Sequence, residues 1–147
     1  MQAEESPFRY PMHYKFDRKI DALAQVFEQT RSFYASEAIG QDDALAIDLA
    51  IEELFINLVR HQPPECGDVE VCLESDGSEV TVELSGKELP PYDPTNTPEL
   101  DVTQALDERE PGGLGVHLTR QVVDAFTYRY ANGVGQTTIR RKLQVPR

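Results

Sequence analysis

At 147 residues and 39% hydrophobic content, the chain is long enough for one domain with its own core and too short for two ordinary ones, so a single domain over 1–147 is expected. A formal net charge of -12 excludes nucleic acid and anionic membrane surfaces as main partners, because phosphate backbones demand clustered Lys and Arg; it leaves open a small nucleotide held in a locally positive pocket. No apolar run nears the ~20 residues of a bilayer span, and Met1-Gln2-Ala3-Glu4-Glu5 has no signal-peptide pattern. The two cysteines, Cys66 and Cys72, lack a second pair or a His at zinc spacing, so free thiols in a reducing, cytoplasmic compartment are expected.

In chain order, His13-Tyr14-Lys15-Phe16 alternates as an opening strand with one buried face. Ile20, Leu23, Ala24, Val26, Phe27 and Phe33 then recur at helical spacing up to Ala38, and Gly40 ends the helix. Asp42 or Asp43 is placed to cap a second helix. Its apolar positions, from Leu45, Ile47 and Leu49 to Leu58 and Val59, cover most of its circumference and predict a largely buried element. After Pro63-Pro64 the period switches to alternation: Val69, Val71 and Leu73, the turn Asp76-Gly77, then Val80, Val82 and Leu84 read as a hairpin. Residues 87–113 are rich in Pro, Asp, Glu and Thr with little apolar periodicity, and so long a connection reads as a functional lid or a disordered segment. A short helix is predicted from about Gly115 to Asp124. Strands Thr127 to Tyr130 and Thr137 to Leu143 follow, joined by the turn Asn132-Gly133-Val134-Gly135.

Two stretches carry chemistry. Glu53-Leu54-Phe55-Ile56-Asn57 sets a carboxylate and a carboxamide one helical turn apart, and His61 extends the polar stripe by another turn. An Asn carbonyl suits Mg²⁺ when phosphates supply the negative ligands, and a neighbouring carboxylate can take a proton from an attacking hydroxyl or water. The second stretch, Glu110-Pro111-Gly112-Gly113-Leu114-Gly115, opens a helix. It is not a P-loop, since no Gly-Lys-Ser/Thr follows, and Leu118 stands where the dinucleotide fingerprint needs its third glycine. A structural turn and a phosphate cradle of backbone N–H groups both fit it, and the helix start favours the cradle.

These residues resemble the anti-sigma-factor serine/threonine protein kinases, small members of the gyrase and histidine-kinase type ATPase superfamily, over nearly the whole chain. Ala50 through His61 is similar to the family's N-box, and Pro90-Pro91-Tyr92-Asp93-Pro94 to its Pro-aromatic-Asp-Pro segment. Leu106 through Val116 is similar to the end of its ATP lid and second glycine box. The resemblance implies an α+β layered sandwich with helices on one face of a mixed, mostly antiparallel sheet. It implies ATP and Mg²⁺ as cofactors, with Asn57 as metal ligand and Glu53 as base for a protein serine hydroxyl. Gly112, Gly113 and Gly115 are implied to cradle the phosphates, Arg109 to neutralise them, and Thr137 or Thr138 to lie beside the adenine. It further implies a transferase acting in transcription regulation, with an anti-anti-sigma protein and a sigma factor as partners, and a homodimer.

The family's Asp-x-Gly, whose Asp hydrogen-bonds the adenine amino group, is missing from Leu84-Ser85-Gly86-Lys87-Glu88-Leu89-Pro90. Either Leu84 stands in the Asp position or Glu88 supplies the carboxylate from a shifted register. A lost hydrogen bond of this kind costs about 1–3 kcal/mol. A non-catalytic partner-exchange module on the same fold, with weak or no ATP binding, is the alternative that this departure opens.

Overall fold

Alternation of apolar and polar residues builds the sheet. The structure, a computed structural model, describes residues 12–96 and 113–144. Five strands run β1 Met12–Phe16, β2 Val69–Ser75, β3 Glu79–Lys87, β4 Ala125–Ala131 and β5 Val134–Lys142, paired in the order β1-β2-β3-β5-β4 with every pair antiparallel. Because side chains alternate between faces, one register puts Val69, Val71 and Leu73 of β2 and Val80, Val82 and Leu84 of β3 on the inner face with Ile139 of β5. Glu70, Cys72, Glu74 and Glu83 fall on the other face, where burial among these acids pushes the Cys72 thiol up to about 12.

Three helices cover the inner face among the described residues: α1 Leu23–Ser36, α2 Gln41–His61 and α3 Gly113–Val122. The first is shorter than its apolar spacing predicts, because Ile20–Ala22 forms a separate 3-10 turn and the chain leaves α1 through Ala38 at φ +53. Phe55, Ile47, Ile51 and Leu54 of α2 fill the centre of the core with Val26 and Phe33 of α1. The expected cap of α2 is not made. Gly40 occupies that position with no side-chain bond, and Asp43 is instead drawn inside the helix to the end of β5. Nor is α2 apolar because it is buried all round: Leu45 is 71% exposed, so its apolar circumference overstates its burial.

Within the predicted lid, residues 97–112 lie outside the described part. The segment before them leaves β3, passes Pro90 and Pro91 and makes a 3-10 turn at Pro94–Asn96.

Candidate nucleotide site

The core-facing residues of α2 fix the orientation of its polar stripe. With Ala50, Ile51, Leu54 and Phe55 packed into the core, Glu53 and Asn57 emerge one turn apart at the edge of the buried face. Asn57 is 4% exposed and Glu53 half-buried. Two buried side-chain polar atoms lack a hydrogen-bond partner among the described residues, and they are Glu53 Oε1 and Asn57 Nδ2. Each such group costs about 1–3 kcal/mol, so two on one helical turn form a local deficit that a ligand can satisfy. Burial holds the Glu53 carboxyl above the usual carboxylate range. Arg60 opposes that shift, and Glu52 adds to it. A carboxyl so placed is a better proton acceptor than an exposed one.

The glycine-rich stretch enters α3, whose first residue is Gly113, and Gly115 lies in its first turn. That helix packs on α2, and its Val116 and Thr119 are buried. Arg109 and Gly112 lie outside the described residues. On β5, Thr137 faces inward and is buried, whereas Thr138 is on the opposite face as the partner of Glu83.

The inner neighbour of Thr137 on β3 is Leu84, 1% exposed and part of the core, so no carboxylate stands there. A carboxylate does lie nearby: Glu88, 1% exposed, extends over Gly135, two residues from Thr137 on the same face. Its Oε1 accepts the hydroxyl of Tyr128, itself the other cross-strand neighbour of Thr137, at 2.6 Å and the N–H of Tyr92 at 2.9 Å. Burial and the carboxylate push the Tyr128 hydroxyl up. The approach is so close that a Cβ on residue 135 would lie 1.8 Å from Glu88 Oε2, so any side chain there forces the carboxylate to move.

A family model described as the histidine kinase-like ATPase domain matches residues 16–142. The chain belongs to that family. No curated protein matches it in sequence. Among solved structures, this ATPase domain is similar to the RsbU and RsbW domains of a Mycobacterium tuberculosis protein, with a TM-score of 0.66 and 17% identity over 92% of this chain. It spans 32% of that longer protein. It is also similar to a chain from the SiaB-SiaC complex of Pseudomonas aeruginosa, with a TM-score of 0.61 and 12% identity over 92% of this chain and 91% of the other. At these identities the likeness shows the fold.

The family implies a magnesium nucleotide, and the residues of this ATPase domain fit one at the α2 end. Unpartnered Glu53 Oε1 is an oxygen that suits a hydrated hard cation, and unpartnered Asn57 Nδ2 is a donor that suits a phosphate oxygen, whereas the carbonyl oxygen of the same amide can ligate the metal. At the Thr137 end a carboxylate is present in Glu88, but it is buried and already held by Tyr128 and Tyr92. Contacts that spacing along the sequence does not show tie the end of α2 to the segment that leaves β3. Gln62, after the last turn of α2, donates to the Pro90 carbonyl at 2.9 Å and accepts the Leu89 N–H at 2.7 Å. Buried Arg18 donates to the carbonyls of Leu58, Gly67 and Lys87. The His61 ring stacks on Tyr92. Polarity at a helix end and an aromatic between prolines are the only hints the sequence gives of these contacts.

Proposed function

We propose that the chain is an anti-sigma regulatory factor: an ATP- and Mg²⁺-dependent serine kinase for an anti-anti-sigma protein that also binds a sigma factor. On this reading it acts as a cytoplasmic homodimer without contacting nucleic acid. The unpartnered Glu53 and Asn57 atoms on one turn of α2 carry the reading. It is supported by the order of N-box, Pro-aromatic-Asp-Pro and glycine box in the sequence, and by a fold shared with a chain known in complex with a partner protein.

The Asn57 carbonyl oxygen is assigned to the metal and the backbone N–H groups of Gly112, Gly113 and Gly115 at the start of α3 to phosphate oxygens, with Arg109 completing the charge balance. When bound, Mg-ATP supplies the transferable phosphoryl group and the positive charge that offsets its oxygens. Glu53 orients the serine hydroxyl and takes its proton, a role its raised proton affinity favours. Thr137, the inward member of the Thr137–Thr138 pair, is assigned to the nucleobase end, where the Glu88 carboxylate is committed to Tyr128 and Tyr92.

Asn57→Ala tests this directly. Phosphoryl transfer from Mg-ATP to an anti-anti-sigma protein is expected to vanish while circular dichroism and melting temperature are kept; transfer retained by this variant would falsify the kinase reading. Leu84 in the core opposite Thr137 favours a second reading, a partner-exchange module without ATP chemistry. Tight calorimetric binding of Mg-ATP counts against that module.

A further inference from the structure

The sheet ends at β4, a strand of 7 residues that is paired on one side alone, by β5, among the described residues. Asn132 at φ +53 and Gly133 at φ +79 form the two-residue type I′ turn that joins these strands. Such a turn makes Ala131 and Val134 a hydrogen-bonded pair. The ladder then commits Thr127 and Arg129 to β5 and turns the N–H and C=O of Phe126, Tyr128 and Tyr130 to the open side. The other side of β5 agrees, because the Leu143 N–H, of opposite parity to Val134, reaches the Ser78 carbonyl next to β3 at 2.8 Å. The Pro94–Asn96 turn packs near β4 and makes no backbone hydrogen bond to it. Sequence devices that protect an edge are missing too: β4 has no proline, no lysine and no inward-pointing charge.

The two faces beside this edge differ. Phe126, Tyr128 and Tyr130 form an aromatic row on the inner face, opposite Ile139, Thr137 and Gly135. On the outer face Arg129 is exposed, donates to Gln136 Oε1 at 2.8 Å and has no carboxylate partner among the described residues. Arg140 and Lys142 of β5 extend the same face. Beyond residue 110 the sequence has six Lys and Arg against one acid, Asp124, although the whole chain carries -12. A basic edge disfavours a second copy as its occupant. In a continuous sheet, β4 paired with its two-fold mate sets Arg129 against Arg129 on one face, and β4 paired with the other edge, β1, sets it on the face of Lys15.

We propose that the open edge of β4 docks an extended acidic segment of a partner protein, which joins the sheet as an added strand with apolar side chains along the aromatic row and carboxylates beside Arg129. The inference does not depend on nucleotide binding. Its probe is a capped peptide matched to the 7 residues of β4 that alternates valine and glutamate, with a valine–lysine peptide as control. In calorimetry the full chain binds the glutamate peptide and not the lysine peptide. Arg129→Glu weakens the first by about tenfold and strengthens the second, since attraction across adjacent strands becomes repulsion. Tyr130→Pro removes an outward N–H, spares the β5 ladder and abolishes binding with the circular dichroism spectrum kept. N-methylation of alternate peptide amides abolishes it from the other side. By NMR, the glutamate peptide slows amide exchange at Phe126, Tyr128 and Tyr130 and leaves Thr127 and Arg129 unchanged. Equal affinity for the two peptides, slowed amides elsewhere, or no binding by the folded chain overturns the proposal. Two further outcomes overturn it by naming another occupant. Slow exchange at Phe126, Tyr128 and Tyr130 in the free monomer assigns the edge to residues of this chain, and self-association lost in Tyr130→Pro assigns it to a second copy.

Discussion

Asp43 and Glu53 are acids of one helix with opposite surroundings. Asp43 is 3% exposed and complete: Oδ1 accepts Arg141 Nε at 2.9 Å and Oδ2 accepts the Gln144 N–H at 3.1 Å, tying the start of α2 to the end of β5. Glu53 has a buried oxygen with no partner. Glu88, at 1% exposure, belongs with Asp43, since Tyr128 and Tyr92 both donate to it. Burial of an acid is therefore not what distinguishes the candidate site. Carboxylates whose acceptors are satisfied from within the chain hold elements together, and the one left unsatisfied is poised for a partner from outside.

Substitutions at the two acids break or sharpen that contrast. Glu53→Gln keeps shape and removes the proton acceptor, so phosphoryl transfer is expected to fall by ~10²–10⁴-fold with the circular dichroism spectrum unchanged. Asp43→Ala does the reverse. It leaves Arg141 without its carboxylate and is expected to cost about 3 kcal/mol in urea unfolding, the low end for a broken buried pair because Arg141 still donates to the Val122 carbonyl. Transfer per folded molecule is unchanged. Equal loss of stability in both variants erases the distinction.

A smaller effect tests whether Glu88 is as fully committed as Asp43. Gly135→Ala puts a methyl 1.8 Å from Oε2 of a carboxylate that Tyr128 and Tyr92 hold in place, and about 1–3 kcal/mol of overpacking is expected. In a Glu88→Ala background the same methyl finds space and the penalty disappears. Persistence of the penalty there locates the strain elsewhere.

The strands and the Glu53–Asn57 pair were legible because their signals are local: alternation through Val69–Leu73 and Val80–Leu84, and a four-residue step inside an apolar helix. What escaped depends on distant partners. Asp43 reads as a cap by position, but its partner Arg141 is 98 residues away. Glu88 finds Tyr128 at a separation of 40. Which of Thr137 and Thr138 faces inward follows from pairing with Leu84, a register that β5 alone does not encode. Leu45 is apolar and exposed, and periodicity cannot distinguish it from a core residue.

The subtlest consequence concerns stability and pH at Glu53. Its folded-state affinity for a proton is raised by burial, so the folded chain binds that proton more tightly than the unfolded chain does. The associated stabilisation is complete below the ordinary glutamate value of about 4.3 and is lost as pH rises through the raised value. At neutral pH the wild type therefore keeps a negative charge beside a buried, unpartnered oxygen; Gln leaves a neutral polar atom in that position and removes the charge. Glu53→Gln, inactive in transfer, is expected to melt about 2–4 °C higher near pH 7.5, equivalent to about 1 kcal/mol in a domain of this size. The gain shrinks on acidification and is gone below about pH 4.3. Salt sharpens the test: exposed Arg60 favours the ionised form, so screening it destabilises the wild type alone and widens the gap. A Gln variant that melts lower at neutral pH shows Glu53 to be paired like Asp43, and the contrast between the two acids fails.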